Sequence, residues 1–324
     1  MSALKKTGLV VLATAIAAYG ALVVYAYWPA PEAVSVAALT QPGDQFVTVN
    51  DLSIRYRSYG EHVAGGPTFV LMHGFGNSLQ SFRNLAPLLA EAGSVVALDL
   101  PGYGLSSIPV DYDYGNANQA ATVMAVVRAL GIERPIYVGH SMGGAIAVHL
   151  GVQDKTTVGL VLIDPGIFAT GVPAATQFLP FPFPRISAKL FGNRDWRAQF
   201  LKQSFVDPSV VTSQVLDDLM MTARREDYWA GATAMMGSFA PGGEPALLPD
   251  VKTPVLLVFG EADRNHPDAL RRQLHDALPG STLIVIKGAG HYPHEEKAVE
   301  VAEAVKTMAK VWAGAATIGG AAVP

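Results

Sequence analysis

The chain contains no cysteine and carries little charge for its length. Of its 324 residues, 15% are Asp, Glu, Lys or Arg, and the formal net charge is −4. The absence of cysteine excludes disulfide bonds and thiolate metal sites, but it leaves the redox compartment open. The absence of a basic excess excludes the electrostatic footprint of a nucleic-acid-binding protein. Apolar residues make up 50% of the chain, enough for one large globular domain with a sizeable core.

The N-terminal part of the chain also lacks charge, and it is predicted to be a membrane anchor. Residues 8–28 are nearly all apolar, and at about 1.5 Å rise per residue a helix of this length crosses a hydrocarbon core of about 30 Å. Lys5 and Lys6 precede it, so residues 1–31 are predicted to be a single-pass transmembrane anchor with the remaining chain on the outer, periplasmic or extracellular side. A signal peptide that is cleaved to secrete the protein is the alternative. Residues 32–44, which are rich in Pro, Ala and Gly, are predicted to be a linker.

Most of the remaining chain alternates between strand and helix patterns. Residues 45–166 and 249–313 contain short apolar or alternating runs that are separated by helical periodicity. This alternation predicts an α/β fold, with a mostly parallel eight-stranded sheet and helices on both faces. Among the helices, one is expected over residues 79–91 and the last one over residues 294–312.

A different pattern interrupts that alternation. Residues 167–248 are predicted to be helical with loops, and they are interpreted as a cap or lid insertion in the core. The insertion contains a run of alternating Phe and Pro with further aromatic residues beyond it. These aromatic residues line a pocket for a hydrophobic acyl chain or simply pack the cap on the core. Residues 314–324 are predicted to be a disordered tail.

The most informative stretch is GHSMG at residues 139–143. It matches G-x-S-x-G and lies between a predicted buried strand and a predicted helix, which is the context that gives this motif its chemical meaning. A serine hydroxyl is a weak nucleophile and must be held clear of the backbone beside a base. The sharp turn that holds it there requires neighbours without bulk, and Gly139, Gly143 and Gly144 meet that requirement. By itself the motif also fits an ordinary strand-to-helix turn.

Four further motifs support the interpretation of Ser141 as a nucleophile. In parallel sheets, ligands bind beyond the carboxyl ends of the strands, and polar motifs follow several predicted strands here. The set HGFGNS, DLPGYGLSS, GHSMGG, GEADR and GAGHYPHEE, in this order, resembles the α/β-hydrolase superfamily over residues 45–313. The resemblance implies the α/β-hydrolase fold with a helical cap.

The resemblance also implies a catalytic role for individual residues. Ser141 is the expected nucleophile, His291 the general base, and Asp263 the acid that orients and stabilises the histidine. The backbone amides of Phe75 and Met142 are the expected oxyanion hole. No cofactor or metal is expected.

Other acidic and histidine residues need separate predictions. Asp164 also follows a strand and is the alternative acid of the triad, because some superfamily members place the acid at that position. Three histidines near the predicted site are expected to be packing or loop residues, namely His73, His140 and His266. Two more are expected on helix surfaces, namely His149 and His294.

These features together predict an enzyme that cleaves carboxylic esters through an acyl-enzyme intermediate. The apolar cap beside a membrane anchor indicates a hydrophobic or lipid-like small-molecule substrate. Two alternatives use the same triad, for C–C bond hydrolysis or for cofactor-free perhydrolysis. A third is a non-catalytic, anchored binding protein on the same fold. The residues leave the substrate, its chain length and the oligomeric state open, and no nucleic-acid partner is expected.

Overall fold

An eight-stranded sheet organises the computed structural model of the chain, which describes residues 3–28, 33–61, 66–168, 180–238 and 243–319. The strands are β1 (Gln45–Val49), β2 (Leu52–Tyr59), β3 (Thr68–Met72), β4 (Ser94–Leu98), β5 (Pro135–His140), β6 (Gly159–Ile163), β7 (Val255–Gly260) and β8 (Thr282–Ile286). They lie in the order β1-β2-β4-β3-β5-β6-β7-β8. β2 is antiparallel to β1 and to β4, and the other neighbours are parallel. The predicted mostly parallel sheet is therefore confirmed.

Helices cover the sheet on both faces. The helices of the described residues are α1 (Ala3–Tyr27), α2 (Val36–Leu39), α3 (Leu85–Leu89), α4 (Asn116–Ala129), α5 (Met142–Gln153), α6 (Phe183–Phe191), α7 (Arg194–Lys202), α8 (Ser213–Met220), α9 (Tyr228–Ser238), α10 (Glu244–Leu247), α11 (Asp268–Ala277), α12 (Pro293–Glu296) and α13 (Ala298–Gly319). Of these, α4, α5 and α11 lie on one face of the sheet, and α3 and α13 lie on the other. Successive side chains of β3 pack on opposite faces of the sheet, because side chains alternate in direction along a strand. Val70 and Met72 join the cluster under α4, α5 and α11, whereas Phe69 and Leu71 join the cluster under α3 and α13. Burial on both faces explains the continuously apolar strands.

Two helices differ from the sequence prediction. The helix expected over residues 79–91 is a 3₁₀ turn, Leu79–Phe82, followed by α3. Pro87 has no N–H to donate to the carbonyl of Arg83, so it lies in the first turn of a new helix. The last helix is interrupted at Lys297, whose backbone leaves the helical region, and it then continues to Gly319. It therefore extends past the predicted core boundary at residue 313, and residues 320–324 of the predicted tail lie outside the described residues.

The N-terminal helix α1 projects from the sheet and has a mostly exposed apolar surface. Within the described residues, Leu4–Tyr27 is the one helical stretch long and apolar enough to cross a membrane, with a mean hydropathy of 2.2, although a signal sequence has the same properties. Its last turns contact the cap. The hydroxyl of Tyr19 donates to the carbonyl of Phe181 at 3.2 Å, and the ammonium of Lys189 donates to the carbonyl of Trp28 at 2.8 Å.

The cap lies between β6 and β7 in the chain, and its described helices are α6 to α10. It also contacts the segment that the sequence predicts to be a linker. The amide of Val34 donates to the carbonyl of Arg224 at 2.9 Å, and Leu39 packs with Leu105 and Met221. Asp44 forms an ion pair with Arg55 at 2.8 Å. The segment is therefore packed on the protein, because it buries both apolar and charged side chains.

Candidate active site

Ser141 occupies a strained turn between β5 and α5. Its φ of 50° and ψ of −114° are unusual for a residue with a Cβ atom. The turn is held by a backbone hydrogen bond to the neighbouring strand β6, since the amide of Ser141 donates to the carbonyl of Ile163 at 2.9 Å. A Cβ atom on Gly139 would lie 2.1 Å from the carbonyl oxygen of Gly143, and one on Gly143 would lie 2.1 Å from that of Met72. The glycines are therefore required by the close approach of backbone segments around the serine.

His291 and Asp263 form a hydrogen-bonded pair on the loops that follow β8 and β7. Nδ1 of His291 lies 2.8 Å from Oδ2 of Asp263. An ionised carboxylate can only accept, so Nδ1 carries the proton and Nε2 is the acceptor nitrogen of the neutral ring. The two loops are joined by the amide of Ala262, which donates to the carbonyl of Ala289 at 2.9 Å. This pairing is the one that a general base and its orienting acid need.

Asp263 is ionised although it is buried. Burial opposes its charge, but hydrogen bonds from His266 and His291 outweigh burial and hold the pKa of Asp263 far below its usual value. The pKa of Asp164, the alternative acid, is shifted in the opposite direction. Burial, and then the neighbouring charge of Asp263, raise the pKa of Asp164 well above the usual range. Asp164 accepts from the amide of Gly260 at 3.1 Å, whereas His291 is paired with Asp263.

The loop after β3 lies against Ser141. A Cβ atom on Gly74 would lie 3.1 Å from the Cβ of Ser141. His73 fixes this loop, since it contacts the carbonyl of Gly74 through Nδ1 at 2.8 Å and accepts from the amide of Leu100 through Nε2 at 3.1 Å. The next residue is Phe75. The loop that carries one of the expected oxyanion-hole amides is thus held beside the serine.

Aromatic side chains and one arginine connect the cap to that loop. The ring of Phe75 packs edge-on against Phe191 of α6 at 5.3 Å and against Tyr103 at 6.0 Å. The hydroxyl of Tyr103 contacts the sulfur of Met142, the other expected oxyanion-hole residue, at 3.5 Å. Arg197 of α7 donates through Nη2 to the carbonyl of Gly76. Arg197 is not among the residues predicted for the site, because a lone arginine in a short polar helix has no local signal of burial.

Arg197 is an unusual cation because it is only 2% exposed. Its Nη1 has no hydrogen-bond partner among the described residues, and burial lowers the pKa of the guanidinium. The charge lies 4.9 Å from the ring centroid of Phe191 and 5.6 Å from that of Phe200. Cation–π contacts of this kind offset part of the cost of desolvation.

The other histidines are more buried than their sequence positions indicate. His140 donates through Nε2 to the carbonyl of His291 at 2.8 Å, which links the residue before the serine to the histidine loop. The prediction that His294 and His149 lie on helix surfaces is wrong. His294 is fully buried, and burial lowers its pKa to about 3. Its helix packs under the site, where the imidazole ring lies 5.1 Å from the ring of Phe82. His149 is also buried and lies 3.3 Å from a carboxylate oxygen of Glu244.

Four side chains of the site could also be considered as metal ligands. Ligand atoms of Asp164, Asp263, His266 and His291 all lie within 4.8 Å of one another. However, the two nitrogen–oxygen distances to Oδ2 of Asp263 are 2.6 and 2.8 Å. Ligands at about 2.1 Å from a tetrahedral zinc ion are separated by about 3.4 Å, so the short distances fit shared protons better than a common ion.

Four parts of the site therefore lie at one edge of the sheet, namely the loop after β3, the serine turn, Asp263 and His291. His140 and Pro165 connect these parts, because the first contacts His291 and the second contacts His266. The roles given to Ser141, Asp263 and His291, and to the amides of Phe75 and Met142, stay predictions. The arrangement can support nucleophilic attack by a hydroxyl whose proton passes to a neutral imidazole.

Comparison with known proteins agrees with the fold. A family model described as "Alpha/beta hydrolase family" matches residues 69–304. An uncharacterised hydrolase, YugF, of Bacillus subtilis is 27% identical over 265 residues, which cover 81% of this chain and 96% of that protein. A 2-hydroxy-6-oxononadienedioate/2-hydroxy-6-oxononatrienedioate hydrolase of Cupriavidus pinatubonensis is 30% identical over 282 residues, covering 82% of this chain and 94% of that protein.

Among solved structures, that of a membrane phospholipase A superposes with a TM-score of 0.68. The match has 24% sequence identity and covers 95% of this chain and 99% of the other. At that identity the similarity concerns the fold.

Proposed function

Because this chain belongs to the alpha/beta hydrolase family, we propose that it is a serine hydrolase that cleaves carboxylic esters through a covalent acyl-enzyme. The observation that carries the proposal is the 2.8 Å contact between Nδ1 of His291 and Oδ2 of Asp263, beside a serine in a strained turn. This contact orients the imidazole so that Nε2 is the basic nitrogen.

Each residue of the proposed mechanism has one task. Nε2 of His291 accepts the hydroxyl proton as Ser141 attacks the ester carbonyl, and Asp263 stabilises the resulting imidazolium. The amides of Phe75 and Met142 stabilise the oxyanion of the tetrahedral intermediate. The imidazolium then gives its proton to the leaving alcohol. In the second half of the reaction, His291 takes a proton from water as that water attacks the acyl group, and the imidazolium then gives the proton to the serine oxygen as the carboxylic acid product leaves.

The proposed substrate is hydrophobic or lipid-like. Support comes from the contact between the apolar helix α1 and the cap, which brings the cap close to the surface of any membrane that α1 crosses. The cap exposes apolar rings on that side, since Phe181 is 48% exposed and Phe183 is 37% exposed. The ring of Phe181 lies 6.3 Å from that of Tyr27 in α1. Substrates that partition into a bilayer would reach such a cap without crossing bulk water.

The proposed location is a single-pass anchor with the catalytic domain outside the cytoplasm. Lys5 and Lys6 support this orientation through the positive-inside rule. Secretion after cleavage is the alternative. Membrane fractionation of the full chain should find it in the membrane, and a variant without residues 1–31 should be soluble. A full chain that is found shortened and in the medium supports secretion instead.

Hydrolysis of a C–C bond is the second candidate function. It is favoured by the 30% identity to the dienedioate hydrolase of Cupriavidus pinatubonensis, over nearly the whole of that protein. Cofactor-free perhydrolysis is a further alternative that would use the same triad. A non-catalytic binding protein on this fold is the least supported option, because the chain contains all three residues proposed for the triad.

Three assays separate these functions. A fluorophosphonate probe should label the wild type and not Ser141→Ala, and a folded wild-type protein that does not react contradicts any serine-hydrolase function. A series of p-nitrophenyl esters from acetate to laurate should show an optimum at medium or long chains. A preference for acetate contradicts the lipid-like substrate. Turnover of a 2-hydroxy-6-oxodienoate without turnover of any ester favours the C–C hydrolase.

A further inference from the structure

His266 is held on both sides by groups that can only accept hydrogen bonds. Its Nδ1 lies 2.6 Å from Oδ2 of Asp263, and its Nε2 lies 3.0 Å from the carbonyl oxygen of Pro165. A neutral imidazole has one N–H and one lone pair, so it can satisfy only one of these acceptors. The ring is 2% exposed, and a lone pair facing an oxygen lone pair at this depth is costly. A doubly protonated ring satisfies both contacts.

The charges around His266 are balanced by such a cation. Asp263 supplies one negative charge at Nδ1, whereas Asp164 lies 3.9 Å from Nδ1 and burial raises its pKa well above the usual range. Other titratable groups near these two carboxyl groups, among the described residues, are Arg271, His291, His140 and Tyr292. Arg271 donates to the carbonyls of Gly260 and Glu261, at 2.7 and 3.0 Å, and its charge is paired with Asp268 at 3.1 Å. One carboxylate and one imidazolium thus make a neutral buried pair.

His266 and His291 share a single carboxylate oxygen. Both Nδ1 atoms contact Oδ2 of Asp263, and the two rings are parallel within 5° with centroids 5.9 Å apart. In a two-residue acid–histidine pair, the carboxylate favours a proton on the catalytic imidazole. A second cation on the same oxygen weakens this attraction for the proton, and it repels the positive charge that the catalytic imidazole gains on protonation.

We propose that His266 is a positioning residue that carries a fixed positive charge on Oδ2 of Asp263 and thereby keeps His291 unprotonated, and able to act as a base, in acidic surroundings. The proposal rests on the serine-hydrolase function proposed above. It extends that function by assigning a positive charge to His266 and by explaining how catalysis would continue at acidic pH. The proposed location of the catalytic domain outside the cytoplasm would make this acid tolerance useful, because such a domain is exposed to ambient pH.

The first test is the pH dependence of kcat/KM. His266→Asn keeps an N–H that can donate to Asp263 but removes the charge. The acid limb of its profile should move up by about one pH unit relative to the wild type, because His291 then takes its proton at higher pH. His275→Asn is the matched control. That histidine lies on α11, its Nδ1 is 2.8 Å from the hydroxyl of Ser281, and its substitution should leave the profile unchanged. An acid limb that stays in place, or moves down, in folded His266→Asn overturns the proposal.

The second test does not depend on activity. In protein labelled with ¹⁵N-histidine, the two ring nitrogens of His266, assigned by their loss in His266→Asn, should both show the shifts of a protonated nitrogen at neutral pH. One unprotonated ring nitrogen overturns the proposal whether or not the protein hydrolyses esters. If the spectrum shows the imidazolium but the folded protein neither cleaves an ester nor reacts with a fluorophosphonate, the charge assignment holds and the serine-hydrolase function fails. Thermal unfolding of each variant identifies any loss of fold.

Discussion

The sheet core and the cap are stabilised in different ways. Every residue of β3, β5, β6 and β7 is buried, and large apolar clusters lie on both faces of the sheet. Among its described residues, the cap has mostly small apolar clusters, although Met235 joins a large cluster of the core, and polar contacts within the cap and to the core stabilise it. Arg225 donates to the carbonyls of Gly104 and Ser106, and the hydroxyl of Tyr228 donates to that of Ala188 at 2.7 Å.

This difference has a functional meaning. A close-packed core holds the serine turn and the histidine loop in a single geometry, as catalysis requires. A cap with small clusters can adjust to the substrate at a lower cost. Changes in the core are therefore expected to act on catalytic rate and folding, whereas changes in the cap are expected to act on substrate affinity.

The largest effect is expected from Asp263, the proposed acid of the triad. Asp263→Asn should lower kcat by roughly 10⁴-fold, because the amide no longer selects the Nδ1–H tautomer of His291. Asp164→Asn is the matched control, and it should lower kcat less than tenfold. Steady-state kinetics on the best p-nitrophenyl ester measures both. A larger loss in Asp164→Asn than in Asp263→Asn contradicts the assignment of the acid.

The second effect compares glycines of the core and the cap. Gly143→Ala should destabilise the protein by about 3 kcal/mol, because its Cβ would lie 2.1 Å from the backbone oxygen of Met72. Gly237→Ala in α9 should be neutral or stabilise by about 0.5 kcal/mol, since the nearest atom to its Cβ would be 3.7 Å away. Urea unfolding measures both free energies. Equal effects at the two positions contradict the distinction between core and cap.

The third effect is the response of the core to acid. The pKa of His294 is about 3 in the folded protein because of burial, against an ordinary value of 6.5. The unfolded chain therefore binds a proton that the folded protein excludes. The stability associated with this residue is complete above about pH 6.5, falls with pH, and is reduced by roughly 2 kcal/mol at pH 5.

His294→Phe removes this titration and keeps an apolar ring, which suits a site where neither ring nitrogen has a hydrogen-bond partner among the described residues. The difference between the unfolding free energies at pH 7 and pH 5 should become smaller in His294→Phe, and it should not change in His275→Asn. An unchanged difference in His294→Phe means that His294 is not the group responsible.

The smallest effect is expected in the cap. Arg197→Met should raise KM by roughly tenfold and change kcat much less, because it removes the hydrogen bond between α7 and the carbonyl of Gly76. Its thermal stability should be close to that of the wild type, since the lost cation is buried and has no acidic partner among the described residues. Arg194→Gln on the same helix alters an exposed ion pair with Asp217 and a hydrogen bond to the carbonyl of Ser213, and it should be nearly silent. A fall in kcat larger than the rise in KM places Arg197 in the catalytic machinery instead.

Local features of this protein were predictable from the sequence. Apolar runs predict the eight strands, and the glycines around Ser141 predict the tight turn, because both depend on residues within a few positions of one another. The two helix interruptions differ. The missing N–H of Pro87 is a local signal for the first one. At Lys297 propensity favours a continuous helix, and only the packed structure shows where the chain turns.

The amino-acid sequence by itself determined the order of strands and helices, the apolar N-terminal helix and the turn that presents Ser141. Only the tertiary structure decided which acid contacts His291, that His266 shares Asp263 with it, and that His294 and Arg197 are buried. The physical reason is distance along the chain. Protonation, ion pairing and burial depend on groups that are remote in sequence, such as Pro165 and His266 or Gly76 and Arg197, and are brought together only when the sheet and the cap are assembled.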